Sequence, residues 1–223
     1  MEKVMIRIAI DGPSGSGKST LAKAIAKELG IVYVDTGALY RTVGYYVFTK
    51  GEKPDDAKAV EALLPEINID INYEDGTQCV YLNGENLGDR IRQPQISMYA
   101  SAVSAIPAVR AFLLDMQKDI ARKNSVVMDG RDIGTVIIPD ADLKIFLQAS
   151  NECRAKRRTE ELLAKGIPAS YEEVLADMIE RDKNDKNRDI SPAIPASDAI
   201  IMDNSELTVE QSLAEVVRLI NEK

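Results

Sequence analysis

Short, near-continuous apolar runs punctuate the chain at Val4–Ile10, Ile31–Val34, Ser125–Met128, Leu143–Leu147 and Ala199–Met202. Such runs, rich in β-branched residues, are the pattern of parallel strands buried on both faces. Segments of helical period separate them. Lys18 to Leu29 is one, with Gly30 at the position that closes a helix, and Ala38 to Lys50 is another, followed by Gly51. Ser150 opens a helix that carries Arg154, Lys156, Arg157 and Arg158. Ser170 with Glu173, and Thr208 with Gln211, fit the reciprocal box that starts a helix. Strands alternating with helices predict a parallel sheet covered on both faces.

Two stretches interrupt the alternation. Ile67–Asn72 and Gln78–Leu82 have strand character, linked through Glu74, Asp75 and Gly76, and Asn83-Gly84 forms a second hairpin-type turn. A small antiparallel insert is predicted there, followed by helices from about Pro94 to Lys123. The other stretch runs from Arg154 to Arg188, is highly charged, and is broken at Gly166-Ile167-Pro168.

The first apolar run ends at Asp11 and is followed by Gly12-Pro13-Ser14-Gly15-Ser16-Gly17-Lys18-Ser19, which satisfies G-x-x-x-x-G-K-[ST] between a strand and a helix. Glycines there let backbone N–H groups turn towards phosphate oxygens, and the helix N-terminus adds its positive dipole end. Lys18 would neutralise the transferring group, and the Ser19 hydroxyl would sit on Mg²⁺. Gly12 to Thr20 are therefore the expected ATP-binding residues, silent on what receives the phosphate.

Other charged residues leave strands or share helix faces. Asp129-Gly130-Arg131-Asp132 follows a strand at the end where open α/β sheets bind ligands. Asp35-Thr36-Gly37 leaves another strand, and Arg41 follows on the first turn of the next helix. Arg181, Asp185 and Arg188 are spaced to share one helix face. Such runs, like Arg154, Arg157 and Arg158, more often mark a solvated face worth little to stability. Their position in one charged excursion fits a flap that closes arginines onto phosphates.

Composition narrows the chemistry. Lysine and arginine number 28 against 36 acids, a net charge of −8. Eight acids and two bases lie between Glu52 and Asp75. An acidic chain with no basic stripe is a poor match for long nucleic acid, and its arginine clusters suit small anions. No apolar run approaches the ~20 residues needed to span a bilayer. Cys79 and Cys153 lie far apart, and a reducing cytoplasm is the expected setting. Histidine is absent altogether, which removes the commonest general base. Transfer to a hydroxyl would need some other base, whereas an acceptor that is already anionic needs alignment and charge neutralisation more than a base.

Together the Asp11–Gly15, Asp35–Arg41, Asp129–Thr135 and Pro139–Ala141 stretches, with Arg181-Asp182, Asp185 and Arg188, resemble the bacterial cytidylate kinases, a branch of the nucleoside monophosphate kinases. The resemblance covers almost the whole chain. It implies a three-layer α/β P-loop NTPase fold with a five-stranded parallel sheet in a single kinase domain. The core would comprise residues 1–36, 107–150 and 190–223. A monophosphate-binding lobe at about 37–106 would carry the antiparallel insert at about 66–90, with a short lid at about 154–188. The implied substrates are ATP and CMP or dCMP, with Mg²⁺, in a monomer. Thr36, Arg41, Ser101, Arg110, Arg131, Asp132, Asp185 and Arg188 would bind CMP. Among these, Ser101, Arg110 and Asp132 would read the cytosine edge, and Arg41 and Arg131 would hold the acceptor phosphate. Lys18, Arg131, Arg157, Arg158, Arg181 and Arg188 would be catalytic. Thr36 stands where serine is more usual, and its hydroxyl is retained. Two readings stay open beside this one: a small kinase with a hydroxyl acceptor, using Asp35 or Asp132 as base, and a nucleotide-dependent switch.

Overall fold

The computed structural model describes residues 5–74 and 77–222. Val4 and the Asp75-Gly76 link of the predicted hairpin lie outside the described residues. By their own contacts the residues form two units, one reaching to Ile31 and resuming at Ser125, the other Val32–Asn124.

Along the chain come β1 (Arg7–Asp11), α1 (Lys18–Leu29), β2 (Val32–Asp35), α2 (Thr36–Thr49) and α3 (Ala57–Leu63). Next are β3 (Ile69–Glu74), β4 (Thr77–Leu82), β5 (Glu85–Asn86), α4 (Pro94–Val103) and α5 (Pro107–Lys123). Then follow β6 (Val126–Gly130), β7 (Leu143–Gln148), α6 (Asn151–Ala164), α7 (Tyr171–Asn187), β8 (Ile200–Asp203) and α8 (Val209–Asn221). A five-stranded parallel sheet has the order β2-β6-β1-β7-β8, and β3-β4-β5 form a separate antiparallel sheet.

In the first unit, β1 is flanked in parallel by β6 and β7, and Ile8, Ala9 and Ile10 have no exposed surface. A central strand buried on both faces explains the unbroken apolar run. Strand β8 departs from that expectation. It lies at the edge of the sheet, paired with β7 and with no strand on its other side among the described residues, and there Ile200 and Ile201 are exposed. Helix α1 spans the predicted residues and ends where Gly30 turns left-handed at φ 63°. At α8 both halves of the predicted box are present; at α7 Ser170 accepts from the Glu173 N–H, while its hydroxyl turns to Glu172. A second apolar cluster, Ala155, Leu162, Val174 and Met178, joins α6 to α7 into one hairpin.

The second unit has its own core, in which Leu39, Val43 and Val47 of α2 meet Val60, Val103, Val109 and Leu113. Helix α2 starts two residues earlier than its periodicity predicts, because Asp35 itself caps it through the Ala38 N–H. Arg41 consequently lies beyond the first turn. Helices α4 and α5 meet at 99°, and no single helix among the described residues is long and apolar enough to cross a membrane.

Candidate functional site

In the first unit the glycine loop leaves the central strand at Gly12, whose φ is +146°. A Cβ there would lie 2.0 Å from the Leu147 carbonyl oxygen, so only glycine lets the loop cross β7. Gly15 is required by its backbone, a left-handed φ of +73°; its Cβ would meet only the flexible terminal methyl of Met178 in α7 at 2.5 Å. The loop is braced from within and held from two sides. Ser16 Oγ donates to the Pro13 carbonyl at 3.1 Å, and Asn204 Nδ2 donates to the Ser16 carbonyl at 2.9 Å. Around Ser14 the α6–α7 hairpin grips one peptide segment twice: the Ser14 N–H donates to Asp182 at 3.3 Å, while Arg154 Nη1 donates to the Ser14 carbonyl at 2.8 Å. Arg154 and Asp182 close the ring with an ion pair at 2.6 Å.

Lys18 is buried and turned back on the loop, its Nζ 2.6 Å from the Pro13 carbonyl oxygen. Burial, reinforced by the positive charge of Arg131 and opposed by Asp129 and Asp11, lowers its pKa to about 7. Ser19 Oγ donates to Asp129 Oδ2 at 2.9 Å, placing a hydroxyl and a buried carboxylate side by side at the start of α1. Thr20 follows on the exposed first turn of that helix.

The Asp129–Asp132 segment is fixed by a residue with no local signal in the sequence. Asp11, the last residue of β1, accepts from the Ile133 and Gly134 N–H groups, both at 2.8 Å. It anchors the π-type turn Ile133–Ile137, and so places Asp132, which is buried at the start of that turn. Burial pushes the Asp11 carboxyl up to about 6 against the pull of those two N–H groups.

Arg131, Arg181, Asp185 and Arg188 are brought together. Arg131 Nε donates to Asp185 Oδ2 at 2.9 Å, and Arg188 Nη1 lies 4.0 Å from Asp185 Oδ1. Burial opposes the Asp185 charge, yet Arg131, Arg181 and Arg188 hold its carboxyl below the usual carboxylate range. Arg181 also bears on Lys18, whose charge it opposes. Arg181 and Asp185 lie within α7, whereas Arg188 closes the helix and donates through Nε to the Ser191 carbonyl at 2.6 Å.

The α6 arginines divide. Arg154 is 2% exposed and belongs to the loop clamp, not to a solvated face. Arg157 donates to the Asn204 side chain at 3.2 Å and to its carbonyl at 2.9 Å, reaching the loop through Asn204. Arg158 is the surface residue, paired with Glu161 at 2.8 Å.

In the second unit Thr36 is buried at the start of α2. Arg41 Nη2 donates to Asp35 Oδ2 at 2.7 Å, and its buried Nε has no hydrogen-bond partner among the described residues. A Cβ at Gly37 would sit 3.0 Å from Arg41 Nη1, so that glycine leaves room for the guanidinium to fold back. Ser101 and Arg110 flank the α4–α5 elbow: Ser104 Oγ donates to the Ser101 carbonyl at 2.8 Å, and Arg110 Nη1 donates to the Ser104 carbonyl at 3.2 Å. The Arg110 guanidinium also lies over the Tyr40 ring, 5.4 Å from its centre.

Residues 8–222 match the family model described as cytidylate kinase. The chain is similar to a cytidylate kinase of Fervidobacterium nodosum, 49% identical over 97% of each chain. It is also similar to those of Caldicellulosiruptor bescii (47%, covering 96% of this chain and 95% of the relative) and Flavobacterium johnsoniae (47%, covering 97% and 96%). A solved structure, an uncharacterized protein from Eubacterium ventriosum, shares the fold with a TM-score of 0.54 at 16% identity, covering 98% of this chain and all of that one.

Proposed function

The chain belongs to the cytidylate kinase family, and on that premise we propose that it transfers the γ-phosphoryl group of ATP to CMP or dCMP, giving ADP with CDP or dCDP. The observation that carries this reading is the set of half-buried arginines, Arg131, Arg181 and Arg188, gathered around the buried Asp185, with Arg181 and Arg131 also bearing on the loop lysine Lys18. Phosphoryl transfer needs such positive charge at the transferring group.

In the proposed reaction the N–H groups of the loop from Gly12 to Thr20 cradle the ATP phosphates, and Lys18 leaves the Pro13 carbonyl to pair with the γ-phosphoryl oxygens. Arg131, Arg181 and Arg188 neutralise charge on the phosphates, joined by Arg157 and Arg158 from the α6–α7 lid. Thr36 and Arg41 bind the CMP phosphate together with Arg131. Ser101, Arg110 and Asp132 take the cytosine edge, and Asp185 the sugar, with Arg188 beside it. The acceptor phosphate oxygen attacks the γ-phosphorus in line as the bond to the ADP oxygen breaks; the acceptor arrives ionised, so no side chain has to remove a proton. Hydroxyl and carboxylate oxygens are hard donors, and the Ser19–Asp129 pair fits Mg²⁺ carried in with the nucleotide. When bound, that ion supplies charge neutralisation on the β- and γ-phosphates. Two free cysteines, Cys79 and Cys153, fit work in a reducing compartment such as the cytoplasm.

The test is product formation from Mg²⁺ and ATP with CMP, dCMP, UMP, shikimate or no acceptor. The reading expects CDP and dCDP, with little ADP when no acceptor is present. Faster transfer to a hydroxyl acceptor, or ADP release independent of CMP, would overturn it.

A further inference from the structure

In the second unit, a polar side chain of the antiparallel sheet reaches the backbone of Asp35, at the start of the helix that carries Arg41. Gln78 is half-buried in β4, opposite Tyr73 of β3. Its Oε1 accepts from the Asp35 N–H at 2.8 Å, and its Nε2 donates to the Asp35 carbonyl at 3.2 Å. Strand β2 is an edge of the five-stranded sheet, and Asp35 is its last residue. An edge strand presents unpaired N–H and carbonyl groups. A primary amide carries one acceptor and a donor side by side, so Gln78 completes both groups of Asp35 as a residue of a neighbouring strand would.

Asp35 is also the hub of the turn into α2. Its Oδ1 caps the helix at the Ala38 N–H, 3.0 Å away, and its Oδ2 holds Arg41 Nη2 at 2.7 Å. Gly37 is bare where a side chain would press on that guanidinium. The backbone of Asp35 is thus fixed by β4, while its carboxylate fixes both the helix start and Arg41. Without the clasp the Asp35 peptide is free to tilt, and a carboxylate on a tilting backbone no longer holds a guanidinium in one place.

We propose that Gln78 is a positioning residue for acceptor binding, and that the antiparallel insert serves to brace the Asp35–Arg41 pair. The proposal rests on the reading of Arg41 as a ligand of the CMP phosphate. Gln78 touches no substrate and acts through Asp35.

The test uses the full chain with Mg²⁺ and ATP. Gln78→Leu removes both bonds, and Gln78→Met, which keeps the unbranched stem, guards against a packing defect. Loss of two neutral hydrogen bonds from a positioning link should raise the KM for CMP about tenfold. The KM for ATP should stay unchanged. Arg41→Ala alone should raise the KM for CMP at least as far, and adding Gln78→Leu to it should raise it no further, because both act on one element. Additive effects, or a parallel rise in the KM for ATP, would make Gln78 a general structural residue and overturn the proposal. An unchanged KM for CMP in both Gln78 variants, with a raised one in Arg41→Ala, would overturn it while leaving the phosphate reading intact. An Arg41→Ala enzyme with native CMP affinity would remove that reading, and this proposal with it.

Discussion

Replacing Arg154 by alanine tests whether the α6–α7 hairpin is clamped to the nucleotide loop. The guanidinium is 2% exposed and serves the Ala149 carbonyl at 3.1 Å, the Ser14 carbonyl at 2.8 Å and Asp182 at 2.6 Å. Removing one partner of a buried ion pair costs roughly 3–5 kcal/mol, because the other charge is left uncompensated. Asp182 retains about a fifth of its surface and can recruit water, so the lower end applies, about 3 kcal/mol. For a chain of this size that loss lowers Tm by roughly 6–12 °C. The loop loses its anchor at the same peptide, so the KM for ATP should rise while that for CMP changes less. Scanning calorimetry of the nucleotide-free protein and steady-state kinetics read the two effects. An arginine on a solvated helix face would cost at most about 0.5 kcal/mol. A variant melting within a degree or two of the native protein, with native ATP affinity, would refute the clamp.

Lys18→Met should abolish most turnover yet raise the Tm of the nucleotide-free protein in EDTA. The sign follows from the lowered pKa: the unfolded chain holds the proton up to about 10.5 and the folded one only to about 7, so the buried ammonium costs stability in full below pH 7. The variant's advantage should therefore fade as pH rises from 7 towards 10.5, and a pH-independent advantage would contradict it. For the same reason ATP binding at pH 8 should draw close to one proton onto Lys18, measured by calorimetry in buffers of different ionisation enthalpy; no uptake would show that the lysine is already charged. Asp129→Asn should shift the Mg²⁺ concentration for half-maximal rate upward by about tenfold or more, as expected where a carboxylate orients a metal-bound hydroxyl. An unchanged Mg²⁺ titration would exclude that role.

The glycine loop, the strands and most helix starts were legible because their signals are local: an unbroken apolar run, a 3.6-residue period, a cap. Strand β8 misled in one respect, since its Ala199–Met202 run reads as doubly buried and only its place at the sheet edge exposes Ile200 and Ile201. Helix α3 left no clear mark amid the acidic residues of its region. What the sequence hides is polar contact at long range. Asp11 accepting from Gly134, Asn204 donating to Ser16 and Arg154 donating to Ser14 join residues more than a hundred positions apart. No spacing rule encodes such pairs. Arg154 shows the limit best: beside Arg157 and Arg158 it looks like one more residue of a charged face, and only the fold reveals that it is buried against the loop. Gln78 carries no signal either, being one polar residue in a short strand.

Recognition of cytosine separates this kinase from its alternatives, and Asp132 is the residue on which to test it. A carboxylate accepts from the N4 amino group of cytosine and repels the O4 carbonyl of uracil, while in the proposed site Arg110 would donate to the N3 and O2 acceptors of cytosine. A site built on such bonds can discriminate by ~10⁴-fold or more in kcat/KM. The measurement is kcat/KM for CMP and UMP on the native enzyme and on Asp132→Ala. The native enzyme should favour CMP strongly, and the variant should lose far more on CMP than on UMP, narrowing the ratio. An equal loss on both nucleotides, or a native enzyme indifferent to the base, would contradict it.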